Sequence, residues 1–283
     1  SAESAEPYEG VLVRLESVSV DTPYFGGMFS VDGGTWISSL FMDLTHIRLG
    51  DSFTSLTGVV YFRDGIYSVS PRSNLDIEGH ADTCGSCAAD LCIGDLATGD
   101  IVISEVMTNP DACGDRDNAG EYVEVYNTTP GTIDLNCLSI SDAGERVGYV
   151  EVPTVVSAGG FAVLQRRGPE YCYDEAIAAS GSPTATYRKG VSLNNDDDTI
   201  TVSYGETLFD TISYTATGED AWPLAEGTSM QLKSDVLGEG ADTANDSPTN
   251  WCLSTTMIGS TTDMGTPGSM NGSCPGPDII TGG

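Results

Sequence analysis

The sequence is short of positive charge. Lysine occurs twice, at Lys189 and Lys233, and histidine twice, at His46 and His80. Together the 11 Lys and Arg face 42 Asp and Glu, a formal net charge of −31 over 283 residues. Nucleic-acid binding needs clustered Lys/Arg to neutralise phosphates, and there is no such cluster. The same lack excludes an anionic membrane surface as partner. No apolar run reaches the ~18 residues that signal a membrane span. Heptads are missing, so no coiled coil is expected. Helical periodicity is nearly absent, with Tyr173–Ala179 the best candidate for a turn or two. GxSxG, HExxH and P-loop motifs are also missing.

What is present suffices for a fold: 39% apolar and 8% aromatic residues, in a chain long enough for two domains with real cores. Val11, Val13 and Leu15 alternate with Arg14 and Glu16, the period of a half-buried strand. Thr57–Phe62 and Ile66–Val69 read as two more strands, separated by the hairpin turn Arg63-Asp64-Gly65. Further strands are expected at Ile101–Val106, Tyr122–Tyr126, Phe161–Leu164, Thr199–Tyr204 and Leu208–Tyr214. Many short strands with frequent turns indicate an all-β protein of sandwich or barrel type. We place a small β domain at 1–79 with an N-terminal arm, a Cys-rich connector at 80–99, a larger β domain at 100–271 and a tail at 272–283. The first block holds 4 basic and 11 acidic residues, net −7, which leaves −24 for the rest. That excess reads as a solvated acidic coat on sandwich loops.

The eight cysteines are Cys84, Cys87, Cys92, Cys113, Cys137, Cys172, Cys252 and Cys274. An even number at long spacings suits a disulfide framework in an oxidising compartment, although sequence does not choose among the 105 pairings. Cys84-Gly-Ser-Cys87 lacks the second pair or spaced histidines that zinc would need. Ser1 in place of methionine adds to the expectation of a processed, secreted chain.

Several segments carry a family resemblance. Ile101-Val102-Ile103-Ser104-Glu105-Val106-Met107-Thr108-Asn109-Pro110 resembles the opening strand of a lamin tail domain, and Glu121-Tyr122-Val123-Glu124-Val125-Tyr126-Asn127 its second strand. Ile133-Asp134-Leu135, Ala158–Leu164, Ser192–Ile200, Asp210–Tyr214, Asn250-Trp251-Cys252 and Gly265-Thr266-Pro267-Gly268-Ser269-Met270-Asn271 continue the series in order. The resemblance implies an immunoglobulin-like β-sandwich over about 100–271. Without a rod, a nuclear filament protein is not implied, and the cysteines and acidity are closer to secreted bacterial members. Gly10–Leu15, Leu49–Phe53, Leu56–Tyr61 and Ser70–Ile77 resemble OB-fold-like modules of extracellular bacterial proteins, which implies a small β-barrel.

Candidate chemistry is sparse. Gly50-Asp51-Ser52 with Asp43-Leu44-Thr45-His46 mimics a hydrolase motif in the wrong order and reads as a strand-entry turn. Asp111, Asp115, Asp117, Asn118 and Glu121 crowd one loop with the hard oxygen ligands that Ca²⁺ uses. Asp196-Asp197-Asp198 is a weaker second group at an expected hairpin tip. Asn127, Asn245 and Asn271 each begin an N-glycosylation triplet. Cys274 is placed to anchor the tail, in which Asp278–Thr281 has the pattern of an added strand. The expected function is therefore non-enzymatic: a secreted structural or adhesive cell-surface protein, as the self-assembling subunit of an extracellular filament or with other surface proteins as partners. The alternative is a Ca²⁺- or glycan-binding accessory module that docks an extracellular hydrolase.

Overall fold

A computed structural model describes residues 5–22, 24, 26–44, 47–84, 87, 89–114, 119–144, 146–168, 172–187 and 191–274. The chain divides into two compact units, Ser1–Ser86 and Cys87–Gly283. Of residues 80–99, those from Cys87 onward fall in the second unit.

The described residues of the first unit form six strands: β1 (Leu12–Ser19), β2 (Met28–Val31), β3 (Thr35–Ser38), β4 (Ser52–Arg63), β5 (Ile66–Ser70) and β6 (Ile77–Glu78). They form one sheet in the order β1-β4-β5-β3-β2, with β6 added to β4. The hairpin read from sequence is present: Arg63 pairs with Ile66, and Asp64 and Gly65 take φ of 53° and 85°. Positive φ at both central residues is what a two-residue turn between right-twisted strands requires. The expected barrel is not a closed ladder. The sheet is open, and its two ends touch through one isolated bridge, Val20 to Val31. Val18, Phe29, Ile37, Leu44, Ile47, Phe53 and Leu56 fill its core. Val13 and Leu15, on the alternating face of β1, stay only half-buried.

The second unit contains β7 (Leu91–Cys92), β8 (Ile101–Met107), β9 (Tyr122–Asn127), β10 (Ile133–Asp134), β11 (Ser139–Ser141), β12 (Val147–Tyr149), β13 (Val155–Val156) and β14 (Phe161–Gln165). A short helix α1 (Asp174–Ser180) follows, where the one helical pattern was read. Then come β15 (Thr184–Thr186), β16 (Asp197–Tyr204), β17 (Thr207–Thr215), β18 (Met230–Leu232), a single helical turn α2 (Ala241–Ala244) and β19 (Trp251–Leu253). The sheets run β15-β14-β9-β8-β18-β19, β12-β11-β16-β17 and β13-β10-β7. The first two are the layers of an immunoglobulin-like sandwich, and β8 touches β17 across them. β8 and β14 are buried on both faces, so β14 reads as an apolar run over Phe161–Leu164, while β8 buries Ser104 and Glu105 among its apolar residues.

Disulfides join Cys87 to Cys92, Cys113 to Cys172 and Cys252 to Cys274. Cys84 and Cys137 are also disulfide-bonded. The last described pair ties the start of the tail to β19. Asp278–Thr281, the expected added strand, lies outside the described residues. No described helix is long and apolar enough to cross a membrane.

Candidate functional site

The acidic residues do not all face solvent. Ten described carboxylates are buried: Asp51, Asp76, Glu105, Glu121, Glu124, Asp134, Asp142, Asp198, Asp210 and Asp263. A buried carboxylate is tolerated where donors surround it, and these bind the backbone. Asp51, from the hydrolase-like triplet, accepts the amides of Arg48 (2.9 Å) and Thr83 (3.0 Å) and sits 2.8 Å from His80 Nε2. It fastens a turn. His46 lies outside the described residues.

Of the five residues expected to bind calcium, Asp111 and Glu121 are among those described. Asp115, Asp117 and Asn118 lie outside them. Asp111 is exposed, and its amide donates to Asp263 Oδ1 at 3.2 Å. The Glu121 carboxylate is buried, ion-paired to Arg166 at 3.3 Å, and accepts the Leu193 amide. The aspartate triplet is not a hairpin tip either, because Gly205-Glu206 forms that turn between β16 and β17. Asp198 is buried and accepts the amides of Ala143 and Asn194, both at 2.9 Å. No group of three or more His, Cys, Asp or Glu among the described residues is placed to hold a metal ion.

At the centre of the larger sheet, Glu105 on β8 pairs with Glu124 on β9. Glu105 Oε1 accepts from Tyr122 Oη (2.6 Å), Ser229 Oγ (2.5 Å) and the Thr266 amide (2.8 Å), and Oε2 accepts from Thr266 Oγ1 (2.7 Å). Glu124 Oε2 accepts the Gly268 amide at 2.7 Å, while Oε1 is 2.8 Å from Ser104 Oγ. Asn271 Nδ2 donates to the carbonyls of Ser104 and Leu232. The segment 265–271 is thus clasped onto the sheet by side chains far away in sequence. Burial raises both carboxyls, and the field of Glu105 raises Glu124 further. The neutral form of Glu124 fits: Ser104 Oγ is also 3.3 Å from the Glu124 carbonyl, so it can donate there and accept the carboxyl proton. Asn127 and Asn245, the other two triplet asparagines, are buried in the same manner. Asn127 Nδ2 donates to the carbonyls of Gly131, Val156 and Ser157, and Asn245 Nδ2 to Asp210 Oδ2 and the Ile103 carbonyl.

A recess of a different kind lies in the first unit. A cavity of about 520 Å³ opens in the first unit, lined by Tyr8, Val13, Leu15, Thr35, Trp36, Val60, Ile66, Tyr67, Ser68 and Val69, with Gly34 and Gly65 at turns. Tyr8 closes a 3-10 turn (Glu6–Tyr8) that holds Pro7 in its first positions. Trp36 comes from β3, Tyr67 from β5, and Val13 and Leu15 from β1. Tyr67 also packs on Phe62, with ring centroids 4.5 Å apart. Partial burial, followed by the charges of Glu6 and Glu9, raises the Tyr67 phenol. A concave apolar wall with a few hydroxyls and aromatic rings is the composition of a binding site. Sequence reasoning missed it, because three rings from separate elements leave no local pattern. The signal available was the β1 face Val11, Val13 and Leu15, apolar yet not fully covered.

Residues 95–216 match the model of the Lamin Tail Domain family. No curated protein and no solved structure matches the chain.

Proposed function

We propose, from the lamin tail domain at 95–216 as premise, that the chain is a secreted, non-catalytic structural or adhesive protein of the cell surface. In this reading the sandwich is a stapled scaffold and the first unit presents the contact surface. The observation that carries it is the aromatic recess of the first unit, set against a second unit whose buried carboxylates each hold backbone or side-chain donors in place. Oxidised cysteines suit an oxidising exterior.

The test is retention on the producing cells. Surface biotinylation and fractionation are carried out on the wild-type chain and on Trp36→Ala. The wild type is expected at the cell surface, and Trp36→Ala in the medium, folded. A chain found in the cytoplasm, or one that turns over an extracellular polymer, refutes the reading. Equal retention of the variant refutes the role of the recess.

A further inference from the structure

We propose that the recess of the first unit takes a lysine or arginine side chain presented by a basic segment of a partner protein. This rests on the adhesive reading above and adds the partner's chemistry. The lining offers the apolar side chains of Val13, Leu15 and Ile66 to an alkyl stem, and the rings of Tyr8, Trp36 and Tyr67 to its charged end. A cation is attracted to the faces of such rings, to Trp above all. Glu6 and Glu9 bracket the lining residue Tyr8 in sequence, and their charges act on the Tyr67 phenol, so negative charge lies near the recess. Among the described residues, no basic side chain lines the cavity. The arginines of this unit are engaged elsewhere: Arg14 with Glu16 and Glu78, Arg63 with Asp64, Arg72 with Asp76, and Arg48 buried.

Charge complementarity also says whose side chain it is. The chain has two lysines, and Lys233 Nζ is bound to the Thr249 carbonyl at 2.7 Å. Two copies, each at −31, repel one another. A different, basic protein meets both demands of the recess, and the surrounding negative field speeds its approach at low salt.

The test uses the full chain and a short Gly-Ser peptide bearing a central lysine, with norleucine and glutamate versions as controls. NMR titration follows the Trp36 indole N–H and the Tyr67 amide. Both are expected to shift with the lysine peptide, to require roughly ten-fold more of the norleucine peptide, and to ignore the glutamate peptide. Trp36→Ala should abolish saturation and Trp36→Phe restore most of it. Glu6→Gln with Glu9→Gln should weaken binding several-fold, while Glu206→Gln with Glu219→Gln, which removes equal charge in the other unit, should not. Equal binding of the norleucine peptide overturns the proposal, as does lysine binding that survives Trp36→Ala, which is attraction to a polyanion only. A Trp36 resonance that moves with protein concentration alone, and a dimer lost in Trp36→Ala, would make the occupant a second copy and overturn it too. If Trp36→Ala leaves the cell surface but the lysine peptide fails to bind, the adhesive reading survives and the cationic partner does not.

Discussion

Replacing Asp210 by asparagine separates a buried charge from a buried hydrogen-bonding group. The Asp210 carboxylate on β17 is 3% exposed and accepts the Ile103 amide at 2.6 Å, Asn245 Nδ2 at 2.7 Å and the Thr211 amide at 2.8 Å. Those donors favour the charged form, yet burial outweighs them and lifts the carboxyl from 3.8 to about 7, with Asp246 adding to the rise. Folding therefore takes up a proton between these two values. A group raised in this way favours the folded state most below the unfolded pKa, and the advantage is lost as pH climbs to the folded one. Three pK units at about 1.4 kcal/mol each give about 4 kcal/mol lost between pH 4 and pH 8. Asparagine carries no charge, so the stability difference between wild type and Asp210→Asn should change by roughly that amount over the interval. A constant offset from the altered hydrogen bonds is superimposed. Glu105 and Glu124 titrate in both proteins and cancel to first order. Urea unfolding of the full chain at several pH values, followed at the Trp251 indole N–H, whose partner is the Asn245 carbonyl at 2.7 Å, supplies the numbers. A difference that stays flat from pH 4 to pH 8 would falsify the claim that desolvation governs this carboxyl.

The other predictions are simpler. Gly148→Ala should destabilise the second unit by about 3 kcal/mol in thermal or chemical melts, because a Cβ there would overlap the Tyr187 carbonyl oxygen on the backbone. Removing Cys113–Cys172, which spans 59 residues, should cost about 4 kcal/mol, against about 2 kcal/mol for Cys87–Cys92, which spans 5. Equal losses in denaturant midpoint would count against loop entropy as the cause. Glu124→Gln should cost about 1 kcal/mol or less, since the network accepts a neutral group there. Glu124→Ala orphans the Gly268 amide and should cost about 3 kcal/mol, with protease cleavage near 265–271 as a second readout.

Much of the architecture was readable from local pattern. The alternation of β1, the Arg63-Asp64-Gly65 turn and the runs of β8 and β14 are properties of a few neighbouring residues, and α1 falls at the single helical stretch. Barrel closure was not readable, because it depends on whether Val20 and Val31 meet along a ladder or at one point. The buried carboxylates were hidden for a similar reason. Aspartate and glutamate are exposed by default, and only distant donors overturn that. Asp263, for example, accepts amides at positions 111 and 112, some 150 residues earlier. Of the acidic loop, Glu121 engages Arg166, an ion pair that a cluster of oxygen ligands in sequence does not foretell. The recess was invisible because Tyr8, Trp36 and Tyr67 each look like an ordinary residue of its own segment.

The three Asn-Xaa-Ser/Thr triplets bear on where this protein can be made. Asn127, Asn245 and Asn271 are nearly sealed from solvent, and each donates its amide to at least one main-chain carbonyl. A secretory pathway that adds N-glycans to entering chains would reach these amides before any sheet has closed. A sugar placed there occupies the hydrogen that must later hold β8, β18 or the 127–131 turn, and its bulk has no room inside the sandwich. Production in such a host should give a glycosylated, misfolded fraction, rescued by Thr129→Ala, Ser247→Ala and Ser273→Ala, which erase the acceptor motif and leave the asparagines intact. The sequence is suited to a host without that modification.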